Sequence, residues 1–503
     1  MRSRLAATVA STSLAVLSLA VAACGEKSEP PAPGQAGELT VMTFNVWYGG
    51  VSVDPGQIGA AIRAAGADVV GVQEPEGNLR EIADSAGLPF VEESLHLISR
   101  YPIFAAEVQA NGPAVPVGYV EVEPGRVVAV ANAHLTCCPY GPNLARNGKS
   151  AEEVLDVENR TRLPEARRYA RALSSVAEEG VPTFLVGDMN SPSHLDWTEE
   201  AVEARDLPYP LEWPASKALA DAGLRDSYRE IHPDPAETPG LTWTPGTPPP
   251  DIREDETTDR IDWVLAAGPA EVTDSRLVGE EGGPDVEVGV SPWGSDHRAV
   301  ASDFEVESAP TPDLVDADPR VVTRGERVTI RYALSGAGAG RTVGIVPADS
   351  GRNGEDAIAT VPIFDGADHI APMLGTATLS PGPYRAAAID ADGRIIASSP
   401  FWVQAPGALP SIETDRSSYA PGDPIGVSWR NGPGNKLDYV GVFKAGDPNA
   451  YDYLGFVYVD ALPQGSLELT RADLGELPPG RYVASLMLDD GYATLASAPF
   501  TVR

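Results

Sequence analysis

The sequence is poor in cysteine and in basic residues. Of its 503 residues, three are cysteine, and 37 lysines and arginines stand against 72 aspartates and glutamates. Three cysteines are too few for a disulfide scaffold. The formal net charge of −35 argues against a protein that coats nucleic acid or anionic lipid by general electrostatics. It does not exclude a phosphate-handling site, because a bound divalent cation reverses the local field.

Long apolar runs are equally scarce. One such run, residues 5–23, follows Arg2 and Arg4 and is interrupted only by serine and threonine, which predicts a secretory leader over residues 1–23. No other run approaches ~18 residues, so no second membrane span is expected. Residues 21–25, VAACG, resemble the lipobox of bacterial lipoproteins, which implies that Cys24 is lipidated. Residues 24–38 then form a tether, and we expect an extracytoplasmic protein anchored to the cell membrane by lipid.

The length suggests about three domains. Between residues 39 and 306, short apolar runs alternate with helical patterns, which indicates an α/β domain. The pattern predicts helices over residues 57–65 and 161–178. It predicts strands over residues 39–46, 68–74, 127–135, 183–187, 260–266 and 298–306.

The composition changes after this domain. Residues 307–312 are typical of a linker, and the rest of the chain has short alternating strands separated by turn residues. Three short patterns recur about one module length apart, for example VGI at residues 343–345 and VGV at residues 440–442. We therefore predict two tandem immunoglobulin-like β-sandwich modules, residues 313–404 and 411–503, without the cysteine pair of antibody domains.

Polar side chains follow several of the predicted strands at the point where each strand ends. Such groups do not serve a core, and they fit a shared pocket at one rim of a sandwich. Carboxylate and amide oxygens suit a hard divalent cation, which neutralises charge on a phosphoester, while two histidines can move protons. The chemistry indicated is phosphoester hydrolysis. The residues are Asn45, Glu74, His134, Asp188, Asn190, Asp262, Asp296 and His297.

These residues carry a specific resemblance. Seven motifs resemble, in order, those of the endonuclease/exonuclease/phosphatase superfamily, which includes deoxyribonucleases, inositol-polyphosphate phosphatases and bacterial sphingomyelinases. The motifs are TFNVWYGG, DVVGVQE, HLISRYPI, NAHL, GDMNSPS, RIDWVL and GSDHRAV. The resemblance implies a two-sheet β-sandwich flanked by helices over residues 39–306, and metal-dependent cleavage of a phosphoester.

The resemblance also implies roles. Asn45, Glu74 and Asp296 match metal-site residues for Mg²⁺ or Mn²⁺. His134 matches the histidine that contacts the phosphate and helps the leaving group. Asp188 and Asn190 match the residues that position water and phosphate. Asp262 matches the carboxylate that orients the catalytic histidine, and His297 matches that histidine. The water's proton goes to either His297 or Asp188. The carboxylate that should hold His134 is not identifiable from the sequence.

Other residues keep two interpretations each. Arg162 either contacts the substrate phosphate or belongs to a charged surface helix. Tyr140 either lines the substrate cleft or lies outside it. Cys137 and Cys138 form either a vicinal disulfide or two free thiols. Separately, His194 and Asp196 either reach the pocket or cap a helix, and Asp259 is expected to be a loop carboxylate.

The sequence thus favours a lipid-anchored, divalent-metal-dependent phosphoesterase that acts on small phosphoesters or lipid head-group phosphodiesters. The alternative is an extracellular nuclease of the same fold. A third hypothesis is a non-catalytic adhesion protein whose modules bind wall polymer or glycan. The presence of every motif residue argues against that third hypothesis.

Overall fold

The computed structural model describes residues 37–110, 114–243, 258–334, 340–351, 353–363, 372–446 and 453–503. The predicted leader, Cys24 and nearly all of the tether lie outside these residues. Among the described residues, no helix is both long and apolar enough to span a bilayer. The described residues belong to one compact unit.

Strands in the first part of the chain form two sheets. The strands are β1 (Glu38–Asn45), β2 (Val69–Gln73), β3 (Phe90–Glu92), β4 (Leu97–Ser99), β5 (Ile103–Val108), β6 (Val115–Glu123), β7 (Arg126–His134), β8 (Thr183–Asp188), β9 (Arg225–Asp226), β10 (Asp262–Ala267), β11 (Ala270–Glu280), β12 (Val286–Val290), β13 (Ala299–Val306) and β14 (Ala309–Pro310). One sheet has the order β12-β11-β13-β1-β2-β4-β3, and the other β5-β6-β7-β8-β10-β9, with β14 beside β7.

Helices cover the outer faces of both sheets. They are α1 (Pro55–Ala65), α2 (Leu79–Ala86), α3 (Gly141–Arg146), α4 (Ala151–Arg160), α5 (Arg162–Glu178), α6 (Glu199–Arg205), α7 (Pro214–Asp221) and α8 (Ser227–Ile231). In α1 the apolar positions spaced at three and four residues are buried against the first sheet, and Asp54 caps its N-terminus. Helices α5 and α7 bury their apolar faces on the second sheet, and a third core lies between the sheets. This is the predicted helix-flanked sandwich.

Two glycines allow the sheets and strands to approach near the rim. A Cβ on Gly71 of β2 would lie 2.4 Å from Val186 of β8, so no larger residue fits between the sheets there. Gly187 has φ +151°, and a Cβ on it would lie 2.0 Å from the Ala133 carbonyl oxygen. Gly187 therefore lets β8 pass close to β7 immediately before Asp188.

The rest of the chain folds into two successive β modules with matching strand orders. The first contains β15 (Leu314–Asp318), β16 (Val321–Thr323), β17 (Arg327–Ala333), β18 (Thr342–Pro347), β19 (Ala359–Pro362), β20 (Met373–Gly375), β21 (Gly382–Ile389) and β22 (Ile395–Gln404). The second contains β23 (Ser411–Thr414), β24 (Ser418–Tyr419), β25 (Ile425–Arg430), β26 (Tyr439–Lys444), β27 (Gly455–Tyr458), β28 (Gly465–Leu469), α9 (Arg471–Leu474), β29 (Gly480–Met487) and β30 (Thr494–Val502). Each pairs a three-stranded with a five-stranded sheet around its own core.

The connection into the modules differs from the predicted linker. Ala309 and Pro310 pair with Val127 and Arg126 of β7, and Arg126 donates a hydrogen bond to the Ser308 hydroxyl. Thr311 donates its backbone N–H to the Gly125 carbonyl. Pro, Ser and Thr are typical of a linker, but backbone pairing with the first residues of β7 fixes this segment.

Candidate active site

The polar residues predicted from strand ends converge at one rim of the sandwich. Parallel pairing places His134 of β7 opposite Asp188 of β8, and antiparallel pairing places Asp262 of β10 opposite Asp188. On the facing sheet Asn45 is the last residue of β1, and Glu74 directly follows β2. Asp296 and His297 precede β13. Six separate segments therefore contribute to one cluster.

Asp188 lies at the centre of this cluster. Its Oδ2 atom is 3.6 Å from His134 Nε2, 3.7 Å from His297 Nε2 and 3.1 Å from the Asn45 side-chain nitrogen. Its Oδ1 atom accepts a hydrogen bond from the Asn190 backbone N–H. Burial raises the pKa of Asp188, although both histidines oppose this shift. One carboxylate thus faces two imidazoles.

Asp262 fixes the orientation of His297. His297 Nδ1 lies 2.9 Å from Asp262 Oδ2, and both side chains are buried. Nε2 of the same ring points to Asp188 and lies 4.0 Å from Asp296 Oδ1. Burial lowers the pKa of His297, but the Asp262, Asp188 and Asp296 carboxylates outweigh it and raise that pKa well above its usual value. The Asp262 carboxylate leaves Nε2 as the ring nitrogen that faces the pocket.

Asn45 joins the acids of the two sheets. Its amide nitrogen donates to Glu74 Oε1 at 3.0 Å as well as to Asp188, and its Oδ1 atom accepts from the Trp47 backbone N–H. Ser295, which we did not predict, donates its hydroxyl to the Asn45 carbonyl and accepts the His297 N–H. The sequence signal that could have identified Ser295 is its position inside the GSDH motif.

Two functional positions have left-handed backbone conformations. Glu74 has φ 54° and Asn190 has φ 47°, and residues other than glycine adopt this backbone region uncommonly. Asn190 is held there by its side-chain nitrogen, which donates to the Leu135 carbonyl at 3.0 Å. Such conformations concentrate where surrounding contacts fix a functional side chain.

The acids of the rim fit a divalent cation. Asp296 Oδ1 is buried without a hydrogen-bond partner among the described residues. Burial, with the Glu74 and Asp188 charges, raises the pKa of Asp296 to about 7, against the opposing effect of His297. A carboxylate oxygen with no donor, beside a second acid, suits a hard cation. The facing atoms of Asp188, Asp262 and His297 also lie within 4.8 Å of one another and form a group able to hold a metal ion.

Arg162 does not fit the predicted contact with substrate phosphate. Its side chain is 0% exposed, and it donates to Glu158, itself 0% exposed. It also donates to the Thr136 and Pro139 carbonyls, at 2.7 and 2.8 Å. The prediction is corrected: the guanidinium is saturated inside the protein and holds the loop that follows His134.

Tyr140 is half-buried near the rim. Its hydroxyl donates to Asp259 Oδ2 at 3.2 Å, and its ring lies 5.1 Å from that of Trp243, whose backbone pairs with His297. Asp259 lies in the loop before β10, as expected, but it is fully buried and also accepts from Trp197 and Arg205.

His194 and Asp196 take part in neither predicted arrangement. His194 contacts the Ser216 hydroxyl, while Asp196 accepts hydrogen bonds from the buried guanidinium groups of Arg229 and Arg260. The segment is a turn and not a helix start. Elsewhere, Cys137 and Cys138 are exposed and are not joined by a disulfide in this structure, with sulfur atoms 2.7 Å apart.

The carboxylate beside His134 comes from the second β module. Asp490 Oδ2 lies 3.2 Å from His134 Nδ1. Burial lowers the pKa of His134, but Asp490, Asp188 and Glu74 raise it to about 9. No sequence signal marked this residue, because acidic residues are common in hairpin turns.

The sequence matches a known protein family over the part of the chain that contains this rim. The sequence profile described as "Endonuclease/Exonuclease/phosphatase family" matches residues 42–297. An uncharacterized protein of Caenorhabditis elegans is 30% identical over 255 residues, covering 46% of this chain and 79% of that protein.

Solved structures are also similar, at lower identity. An endonuclease/exonuclease/phosphatase from Beutenbergia cavernae DSM 12333 is 20% identical, with a TM-score of 0.35, covering 73% of this chain and 99% of its own. An AP endonuclease from Archaeoglobus fulgidus is 15% identical, with a TM-score of 0.35, covering 53% of this chain and 100% of its own.

Proposed function

The chain belongs to the endonuclease/exonuclease/phosphatase family, and we propose that it hydrolyses small phosphoesters or lipid head-group phosphodiesters with a bound Mg²⁺ or Mn²⁺ ion. One observation carries the proposal. Asp188 is faced by the Nε2 atoms of His134 and His297 at 3.6 and 3.7 Å, beside the acids Glu74 and Asp296. This set combines a cation site with groups that move protons, which is what attack of water on phosphorus needs.

Glu74 and Asp296 would hold the cation. Asp262 is bonded to His297 through Oδ2, and Asp296 Oδ1, like Asp262 Oδ1, is buried without a hydrogen-bond partner among the described residues. A divalent cation there supplies charge that stabilises the phosphoryl oxygens as negative charge develops. The nearby Asn45 amide keeps Glu74 and Asp188 at a fixed separation.

Water activation falls to the pair formed by Asp188 and His297. Their facing atoms are close enough to act as one titrating unit, so the proton taken from water stays within the pair. Asp262 holds the His297 ring so that Nε2 faces this proton. His134 is on the other side of Asp188 and is held protonated, so we assign it to donate a proton to the leaving oxygen.

The charge of the chain supports a small substrate over a nucleic acid. At −35 the protein repels a polyanion at long range, while a single phosphate held at a cation is not so disfavoured. Lipid anchoring through Cys24 would place the site at the outer face of the cell membrane, near lipid head groups. A Cys24→Ser variant that stays in the membrane fraction would contradict the anchor.

A substrate panel tests the proposed function. Purified protein with Mg²⁺ is offered p-nitrophenyl phosphate, bis(p-nitrophenyl) phosphate, sphingomyelin vesicles and supercoiled plasmid. We expect EDTA-sensitive turnover of a small ester or of the lipid. Nicking of plasmid with no other turnover would replace the proposal with the nuclease alternative, and no turnover of any member would contradict it.

A further inference from the structure

We infer that the second β module completes the catalytic site, with Asp490 as the residue that positions His134. The inference rests on the proposed function for its catalytic consequence, but the contact itself is independent of it. Asp490 lies in the turn between β29 and β30, residues 488–493, which reaches the rim from a separate module. The name "rim turn" is used below for residues 488–493.

The contact supplies what the His134 imidazole otherwise lacks. Its Nδ1 atom is buried, has no hydrogen-bond partner among the described residues, and is ion-paired with Asp490 Oδ2 at 3.2 Å. The opposite ring nitrogen, Nε2, faces Asp188. A carboxylate at Nδ1 fixes the ring orientation and keeps a proton on Nδ1, so Nε2 is the atom available for proton transfer.

Asp490 is itself fixed from within its own module. The Tyr458 hydroxyl donates to Asp490 Oδ1 at 2.8 Å, which leaves Oδ2 directed at His134. Asp490 has φ 63°, a left-handed conformation that aspartate tolerates better than most residues. The carboxylate is therefore oriented before any substrate binds.

The rim turn is anchored on the catalytic domain by a neighbouring acid. Asp489 is buried, lies 2.5 Å from His96 Nε2 through Oδ1, and accepts the Gly77 backbone N–H through Oδ2 at 3.2 Å. Gly77 belongs to the segment that follows the proposed metal ligand Glu74. The same turn thus contacts both the histidine side and the metal side of the site.

Further contacts surround this anchor. The half-buried Lys436 side chain donates through its ammonium to the Asn132 carbonyl, two residues before His134. The Lys436 backbone N–H donates to the Glu93 carbonyl at 3.3 Å. The Tyr492 ring packs 5.8 Å from that of Tyr48. These contacts hold the module against the catalytic domain at three places, one of which is the strand that carries His134.

The first module provides an internal comparison. Its corresponding turn, between β21 and β22, also contains two aspartates, Asp390 and Asp392. Asp390 accepts hydrogen bonds from the backbone of its own turn, at Asp392 and Arg394. The two modules share strand order, yet only the second, among the described contacts, directs an aspartate at the catalytic histidine.

The test uses Asp490→Gly and Asp490→Asn in the protein with all its modules. Glycine accepts the left-handed backbone and removes the acceptor, while asparagine keeps the shape and removes the charge. We expect kcat to fall about 10- to 100-fold in the glycine variant, less in the asparagine variant, with KM within about twofold. Asp390→Gly is the matched control and should keep the wild-type rate.

A spectroscopic readout separates this inference from the proposed function. In protein labelled with ¹⁵N-histidine, the Nδ1–H proton of His134 should give a downfield, slowly exchanging resonance in wild type and in Asp390→Gly. The resonance should be absent in Asp490→Gly. Its persistence there, or an unchanged kcat, overturns the inference. A wild type that turns over no substrate but shows the resonance contradicts the proposed function alone and supports the Asp490 contact.

Discussion

At the scale of single residues, the site consists of acids whose charges are opposed by few fixed cations. Glu74, Asp188, Asp262 and Asp296 lie together, and two imidazoles with raised pKa values balance only part of their charge. Bringing like charges together in a partly buried place costs free energy unless a cation is bound. The residue arrangement therefore makes cation binding a structural as well as a catalytic requirement.

Glu74→Gln tests the metal role of this carboxylate. The amide keeps the size of the side chain and removes its charge, so we expect Mn²⁺ affinity to weaken about 10- to 100-fold and turnover at fixed cation to fall by roughly two to four decades. Isothermal titration with Mn²⁺ measures the affinity. Glu81→Gln, on the exposed face of α2, is the control, and equal Mn²⁺ affinities in the two variants would contradict the assignment.

At the scale of elements, the loop after His134 depends on a buried ion pair. Glu158 near the end of α4 and Arg162 at the start of α5 pair without solvent exposure, and the guanidinium binds the carbonyls of the loop. Helices α4 and α5 lie outside the site, but they therefore determine the shape of the loop that follows His134.

Arg162→Met should be strongly destabilising. Removing the guanidinium leaves Glu158 as an uncompensated buried charge, which costs about 3–5 kcal/mol in the free energy of unfolding. Urea unfolding followed by fluorescence gives the value. Arg171→Met, on the exposed face of the same helix, should change the unfolding free energy by less than about 0.5 kcal/mol. A loss below about 1 kcal/mol in Arg162→Met would show that the pair does not hold the loop.

Elements with clear periodicity were predictable from sequence, and long-range partners were not. The pattern of apolar residues gave helix α1 and strands β1, β2, β7 and β8 to within a few residues. The helix buries one face, which imposes its period, and the strands are short apolar runs that are buried along most of their length. It did not give the partners of Arg162 or Asp490, because a charged residue on a helix or in a turn looks the same in sequence whether it is solvated or buried. The pairing of Ala309 with β7 was hidden for a similar reason, since Pro and Thr are typical of linkers.

At the scale of the whole molecule, the second module and the catalytic domain share one electrostatic cluster. Asp296 and Glu76 have pKa values raised to about 7, in each case first by burial and then by neighbouring carboxylates. For Glu76 those neighbours include Asp489 and Asp490 of the rim turn. The module thus adds negative charge to the region around the proposed cation site.

These pKa values predict an unusual pH dependence of stability without metal. An acid with a raised pKa in the folded state binds more protons folded than unfolded, so its effect is to lower stability as pH rises from about 4 to 7. His134, with its pKa raised to about 9, stabilises the fold below pH ~6.5, and that contribution is lost as pH rises toward 9. Both effects have the same sign.

We therefore expect the Tm in EDTA to fall between pH 5.5 and pH 8.5, and Mg²⁺ or Mn²⁺ to raise Tm more at pH 8.5 than at pH 5.5. Differential scanning fluorimetry measures both. Asp296→Asn should lose most of the cation effect while remaining folded. A Tm in EDTA that rises over this interval, with no response to cation at pH 8.5, would contradict the clustering of these acids.

The measurement closest to the central claim is the initial rate on the best substrate of the panel for wild type, wild type with EDTA, and His297→Ala. Removing the imidazole that faces Asp188 removes half of the proton-accepting pair, and removing the cation leaves phosphorus without charge neutralisation. We predict that His297→Ala is slower by roughly two to four decades with its fold intact, and that EDTA abolishes the wild-type rate until Mg²⁺ or Mn²⁺ restores it. Full turnover by folded His297→Ala, or full turnover in EDTA, would contradict the account.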